Sequence, residues 1–265
     1  MAVTVRGCRG SIPATGPDFT RYGHATTCFE ITAGHRHRLL VDAGTAMASM
    51  PQDADRWTVL LTHLHWDHIL GLPFFAPLFQ AGRSFDFYNG LMSGPELDEA
   101  IRTMIRPPWF PVDFDDTRSA KTFQKVGPDP FPVGDLTVTA AALDHPGGVT
   151  GYRIERNGHS VVIATDVEHG DPESDAAVRK LAAGADVLIH DAQYLEHEYF
   201  MSKTGWGHAT WEAAVSVAAD AGVGRLVLTS HDPTRTDELV DAIVDAAREE
   251  FPDTIAAAEG MVIEI

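Results

Sequence analysis

Short apolar runs rich in β-branched residues recur along the chain, and one after another they stop at a histidine or an aspartate. Arg56-Trp57-Thr58-Val59-Leu60-Leu61-Thr62 has the continuous apolar character of a buried strand and runs straight into His63, after which Gly71-Leu72-Pro73 marks a turn leading towards a helix. Val3-Thr4-Val5 begins an earlier strand. Cys28-Phe29-Glu30-Ile31 and Arg38-Leu39-Leu40-Val41-Asp42-Ala43-Gly44 read as a hairpin through a polar turn around Gly34. Leu136 to Leu143 predicts a strand that delivers Asp144-His145. Gly151 to Glu155 pairs with Ser160 to Ala164 across an Asn157-Gly158 turn, and the second of these strands ends at Thr165-Asp166. Asp186 to Asp191 and Gly224 to Asp232 are further buried strands with polar ends.

Helical spacing is rarer. Trp211 to Asp220 reads as an amphipathic helix capped by Thr210 and stopped ahead of Gly222. Thr236 to Glu250 reads as another, with Val240, Ile243, Val244 and Ala247 on one face. A helix-like stretch near Pro95 to Ile105 interrupts a region, Phe74 to about Pro132, that is otherwise irregular. The expected class is α/β, with the carboxyl ends of several strands forming the edge where chemistry gathers.

With 265 residues, 44% of them apolar, the chain can bury one large core, and no Gly/Ser linker, charge block or low-complexity tract divides it. The expectation is one domain over 1–265 with an irregular insertion at about 74–132. A net charge of −18 makes the general surface repel polyanions, which favours a small-molecule substrate over extended nucleic acid. The first residues lack the basic-then-apolar order of a signal peptide, and no run approaches the roughly 18 apolar residues of a membrane span. The expected location is the cytoplasm, without membrane attachment. Cys8 and Cys28 show no CxxC spacing and read as reduced thiols. The stretch Pro107-Pro108-Trp109-Phe110-Pro111-Val112 is too apolar to lie free in water; it caps the site, makes a homodimer contact or packs on its own domain.

The candidate chemistry centres on His63-Leu64-His65-Trp66-Asp67-His68, four metal-ligand types in six positions at a strand's carboxyl end. On an extended backbone His63 and His65 point the same way and reach one metal, while Asp67 and His68, beyond the turn, are free to serve a second. Imidazole with carboxylate suits zinc, with manganese or iron also fitting the mixed shell. Asp42, before a glycine at a strand tip, is either an acceptor orienting a ligand histidine or a turn cap. His208, in the loop before the Trp211 helix, is placed to face the metals without ligating them. His190 and Asp191 end a buried strand and can stand behind the ligands.

His63-Leu64-His65-Trp66-Asp67-His68, then His145, Asp166 and His231 at strand ends, resemble the metallo-β-lactamase fold superfamily, a four-layer αββα sandwich. Gly10-Ser11-Ile12-Pro13, His68 to Phe75, His145-Pro146-Gly147-Gly148 and Gly207-His208-Ala209-Thr210 resemble its phosphodiesterase-like branch, which includes tRNA 3′-processing endonucleases, PhnP-type cyclic phosphodiesterases and class II cyclic-nucleotide phosphodiesterases. The resemblance implies two divalent ions, one held by His63, His65 and His145, the other by Asp67, His68 and His231, with Asp166 bridging both. It makes His208, with Asp67 beside the metals, the catalytic residue that contacts phosphate or protonates the leaving oxygen. Two such ions roughly 3.5 to 4 Å apart share a water and lower its pKa, and after the two aspartates are counted about +2 remains to attract one phosphate.

The chain also departs from these relatives. The endonucleases carry a glutamate three residues before the bridging aspartate to partner their histidine, and here that position is Ile163. The basic, glycine-rich arm that clamps tRNA is absent. Neither cysteine lies near Asp166, where true β-lactamases commonly place one, and His65 stands where oxygen-reducing di-iron relatives have glutamate. The leading expectation is therefore a phosphodiesterase on a small or cyclic phosphodiester, using a hydroxide bridging the two metals. The alternatives are a thioester or lactone hydrolase with the same ligands, and a metal-bound sensor or partner-binding protein with little turnover.

Overall fold

The computed structural model describes residues 1–265 and contains two seven-stranded sheets. The first is built from β1 (Ala2–Gly7), β2 (Cys28–Gly34), β3 (His37–Val41), β4 (Arg56–Leu61), β5 (Ser84–Asn89) and β6 (Ala120–Lys125). The second takes β7 (Phe131–Val133), β8 (Leu136–Leu143), β9 (Val149–Arg156), β10 (His159–Ala164), β11 (Val187–Asp191), β12 (Arg225–Thr229) and β13 (Thr254–Ala256). The last strand, β14 (Val262–Glu264), returns to pair with β1 at the edge of the first sheet. Each sheet is antiparallel on one side and parallel on the other, with order β14-β1-β2-β3-β4-β5-β6 in one and β13-β12-β11-β10-β9-β8-β7 in the other.

Period-two alternation sorts the side chains into layers. In β10, Val161 and Ile163 face the other sheet, while Val162 and Ala164 face the outer helices. In β3, Leu39 and Val41 point inward and Leu40 outward. The helices are α1 (Trp66–Ile69), α2 (Gly94–Met104), α3 (Pro172–Ala182), α4 (Glu196–Glu198), α5 (Trp211–Ala221) and α6 (Asp237–Glu250). The faces of α3, α5 and α6 close the apolar layer over the second sheet, and α2 with several single turns closes the layer over the first. The architecture is the αββα sandwich.

The region from Phe74 to Pro132 is more regular than its sequence pattern implies. It holds α2 and also β5 and β6, which extend the first sheet in parallel. Phe85 and Phe87 alternate into the core, but Asp86 sits between them, where it accepts hydrogen bonds from Arg56 at 2.7 Å and Thr122 at 2.7 Å. A carboxylate satisfied by partners 30 and 36 positions away breaks the apolar run that marks a strand. In the apolar loop, Phe110 packs edge-on against Phe74 with centroids 5.6 Å apart, so it rests on its own chain. Trp109 stays exposed beside Trp66. Cys8 and Cys28 are buried free thiols, and no helix is long and apolar enough to cross a membrane.

Candidate metal centre

The parallel strands of both sheets end at one edge, and the side chains there converge. β3 is followed by Asp42, whose left-handed backbone (φ 62°) turns its carboxylate under the end of β4. That carboxylate accepts the Thr62 backbone N–H at 2.8 Å, the Thr62 hydroxyl at 2.8 Å and the Nδ1–H of His68 at 2.7 Å. It thereby fixes the His68 ring with Nε2 turned into the cluster, the orienting role that the sequence left open against a cap. With the Thr62 hydroxyl proton committed to Asp42, His63 Nδ1 donates to the Thr62 oxygen at 3.0 Å. His63 Nε2 is then an aimed lone pair, buried and without a partner.

His63, His65 and His145 bring one ligand atom each to within 4.8 Å of one another, and so do His63, His68 and Asp166. His145 Nε2 lies 3.1 Å from His65 Nδ1, while its own Nδ1 donates to the Gly207 carbonyl at 2.7 Å. Asp166, at the end of β10 with φ 54°, presents Oδ2 at 3.1 Å from His68 Nε2 and 3.8 Å from His63 Nε2. Asp67 Oδ2 is 3.2 Å from His68 Nε2 and accepts the Ser11 N–H at 2.8 Å, which lays the Gly10-Ser11 loop over the site.

Burial, with His68 and His145 nearby, drives the His63 imidazole far below its ordinary pKa and so keeps it neutral. Burial also disfavours the Asp166 carboxylate, yet His68, His208 and His63 around it hold its pKa well below the usual range. Imidazole nitrogens facing a buried carboxylate across 3 to 4 Å, among them the neutral His63 ring with its lone pair wholly unpartnered, form a donor set that a divalent cation fits.

A sequence profile of the beta-lactamase superfamily domain matches residues 37–231. The chain belongs to that superfamily. A ribonuclease Z of Methanothermobacter thermautotrophicus is 28% identical over 315 residues, covering 100% of this chain and 97% of its own. Among solved structures, the metallo-beta-lactamase fold protein YhfI of Bacillus subtilis matches with a TM-score of 0.76 at 23% identity, covering 100% of this chain and 98% of that one. Zinc-bound PqqB of Methylobacterium extorquens gives 0.73 at 20% identity, with 100% of both chains covered.

One site residue of this superfamily member falls elsewhere than the sequence implies, and one partner comes from a strand the sequence did not single out for it. His231 is not in the cluster. β12 ends at Thr229, Ser230 takes a left-handed turn (φ 58°), and the His231 ring swings to the far side, where Nε2 donates to the Ala257 carbonyl at 2.9 Å and the ring meets Tyr22 edge-on. Ser230 is the residue facing the cluster, its hydroxyl 3.4 Å from Asp166 Oδ1. A one-residue step at a strand end reverses a side chain, and an apolar run followed by Ser-His leaves the two choices equal.

The acid partner missing at Ile163 comes instead from the neighbouring parallel strand. Asp191, at the end of β11, accepts the Nδ1–H of His208 at 2.7 Å and the Ala209 N–H at 2.9 Å. His208 Nε2 then lies 3.9 Å from Asp166 Oδ2. Burial opposes its charge, but Asp191 and Asp166 push its pKa up to about 9, so the ring is cationic at neutral pH. Glu168 holds the loop in place by accepting the Tyr199 hydroxyl at 2.8 Å, the Gly205 N–H at 2.5 Å and the Gly207 N–H at 2.7 Å. Its nearness to Asp166 in sequence was the one available signal of that role.

Proposed function

We propose that the protein is a divalent-metal hydrolase that cleaves a phosphodiester in a small substrate, with His208 as general acid. The observation that carries this reading is the His208–Asp191 pair, an imidazole held by one buried carboxylate with its free nitrogen 3.9 Å from Asp166 at the heart of the cluster. Cleaving a phosphodiester expels an alkoxide, which leaves readily only with a proton, and a positioned acid contributes roughly 10²- to 10⁴-fold. His63, His65, His145 and Asp166 would hold one cation, and Asp67, His68 and Asp166 would face a second. Cations there would supply Lewis acidity to the phosphoryl oxygens and a water of lowered pKa. Zinc suits the imidazole-rich side.

Similarity along the whole chain to a protein named ribonuclease Z supports phosphodiester chemistry. The net charge of −18, and a neighbouring cleft of about 760 Å³ lined by Asp144, Glu168 and Asp171, support a small substrate rather than a long polyanion.

The test is turnover of a phosphodiester with an alkoxide leaving group, such as a dinucleoside monophosphate, of a mono-aryl phosphate, a lactone and a thioester by the zinc-loaded protein and by His208→Ala. Selective diester cleavage that falls by about 10²-fold or more in the variant is expected. Lactone or thioester turnover indifferent to His208 would replace this reading with acyl hydrolysis, and absence of all turnover with metal retained would make the protein a binder.

A further inference from the structure

We propose that the two cation positions are unequal: the position at His63, His65 and His145 binds tightly, while the one beside Asp67 and His68 is weak and exchangeable because Ser230 occupies its last ligand place. This rests on the reading of the cluster as a metal centre.

The first position has three imidazoles whose ligand atoms already lie within 4.8 Å of one another, with the Asp166 carboxylate alongside. Three nitrogens and an oxygen complete a tetrahedral zinc shell. Around the same Asp166 Oδ2 a second set gathers, His68 Nε2 at 3.1 Å and, 3.2 Å from that nitrogen, Asp67 Oδ2. The end of β12, the strand next to the one that ends in Asp191, comes up to the same carboxylate from its Oδ1 side. Ser230 is fully buried there, with its hydroxyl 3.4 Å from Asp166 Oδ1. A neutral hydroxyl is a poor ligand for a first-row divalent ion beside an imidazole.

His231 cannot turn back to fill the gap without dismantling what holds it. Its N–H donates to the Cys8 carbonyl at 3.0 Å, its carbonyl accepts the Gly10 N–H at 3.1 Å, and its ring donates to the Ala257 carbonyl at 2.9 Å. These bonds tie β12 to the N-terminal loop and to the segment after β13. Nor does His208 supply the missing nitrogen, since it groups with Asp166 and Asp191 rather than with His63 and His68.

The test is a titration of the chelator-stripped full chain with Zn²⁺ alone, followed by calorimetry and by competition with a chromophoric chelator, with elemental analysis after dialysis. Native protein is expected to retain one equivalent and to bind a second about 100-fold or more weakly, a gap at least as wide as loss of an outer-shell partner produces. Ser230→His should retain two equivalents, with folding checked by circular dichroism, and His231→Gln should match the native profile. Two native equivalents of indistinguishable affinity would overturn the proposal. So would loss of an equivalent in His231→Gln, or a folded Ser230→His that leaves the second ion weak. If Ser230→His does not fold, the native titration decides alone. No bound zinc in any form would instead sink the metal-centre reading on which the proposal rests.

Discussion

His208 donates its Nδ1–H to Asp191 at 2.7 Å while its opposite ring nitrogen stands 3.9 Å from Asp166, so one imidazole is held between two buried carboxylates. The pair sets both the orientation and the charge of the ring. Asp191→Asn keeps the shape but removes the anion that most favours the protonated form. The variant should hydrolyse a phosphodiester with an alkoxide leaving group about 10²-fold more slowly. The alkaline limb of its kcat profile should move below the native position near pH 9, because an imidazolium that loses a neighbouring anion gives up its proton at lower pH. Zinc content measured alongside should stay at the native level; a loss of metal would make Asp191 a structural residue.

A second carboxylate–imidazole pair acts on the ligand side. Asp42 accepts from His68 Nδ1 at 2.7 Å and is completely buried, so its removal frees the ring to rotate away from Asp166. Asp42→Asn should weaken zinc affinity about 10- to 100-fold in chelator competition. Unchanged affinity would mean that the ring is held by packing alone.

The strands that deliver His63 and Asp166 are legible in the sequence because each is buried on both faces and reads as a continuous apolar run, and β8, which delivers His145, because its buried positions alternate with more exposed ones. Edge and near-edge elements are not. β5 and β6 mix Asp86, Gln124 and Lys125 with phenylalanines, β13 and β14 are three residues each, and α3 is largely polar outside Val178 and Leu181. In the site, ligand types could be recognised but side-chain direction could not. Ser230 and His231 differ by one step at a strand end, and only the left-handed turn at Ser230 decides which of them faces Asp166. Asp191 was visible as a strand end, but its partner His208 lies 17 positions further on, and only the parallel register of β10 with β11 brings it beside Asp166.

Gly207 joins the two halves of the site. Its carbonyl accepts from His145 Nδ1, its N–H donates to Glu168, and its backbone is left-handed at φ 86°. A Cβ placed there would lie 2.2 Å from His145 Nδ1 and 2.4 Å from Pro146 Cδ. Gly207→Ala therefore combines backbone strain on the order of 1–3 kcal/mol with a displaced His145 ring. Both zinc retention and diester turnover should fall, and the urea midpoint should drop. Native zinc retention in the variant would mean that the loop yields rather than the histidine.

His231, outside the cluster, should show itself in the pH dependence of stability. Burial is the main force lowering its pKa, with Arg9 and Arg235 adding to it against the Ala257 carbonyl, and the result is about 4. An exposed imidazole titrates near 6.5, so on acidification the unfolded chain takes up the proton first. The contribution is therefore fully present above pH ~6.5 and is lost progressively as the pH falls towards 4. At pH 5 the loss amounts to about 2 kcal/mol for this one group. His231→Gln keeps a donor for Ala257 but has nothing to titrate. Urea unfolding of metal-free native protein and of the variant, each at pH 7.5 and pH 5, should give a native destabilisation about 2 kcal/mol larger than that of the variant. His63 and His65 titrate equally in both proteins, so they cancel in the difference. Equal acid sensitivity would mean that His231 keeps a near-ordinary pKa and that its ring is not sealed behind Tyr22 and Ala257.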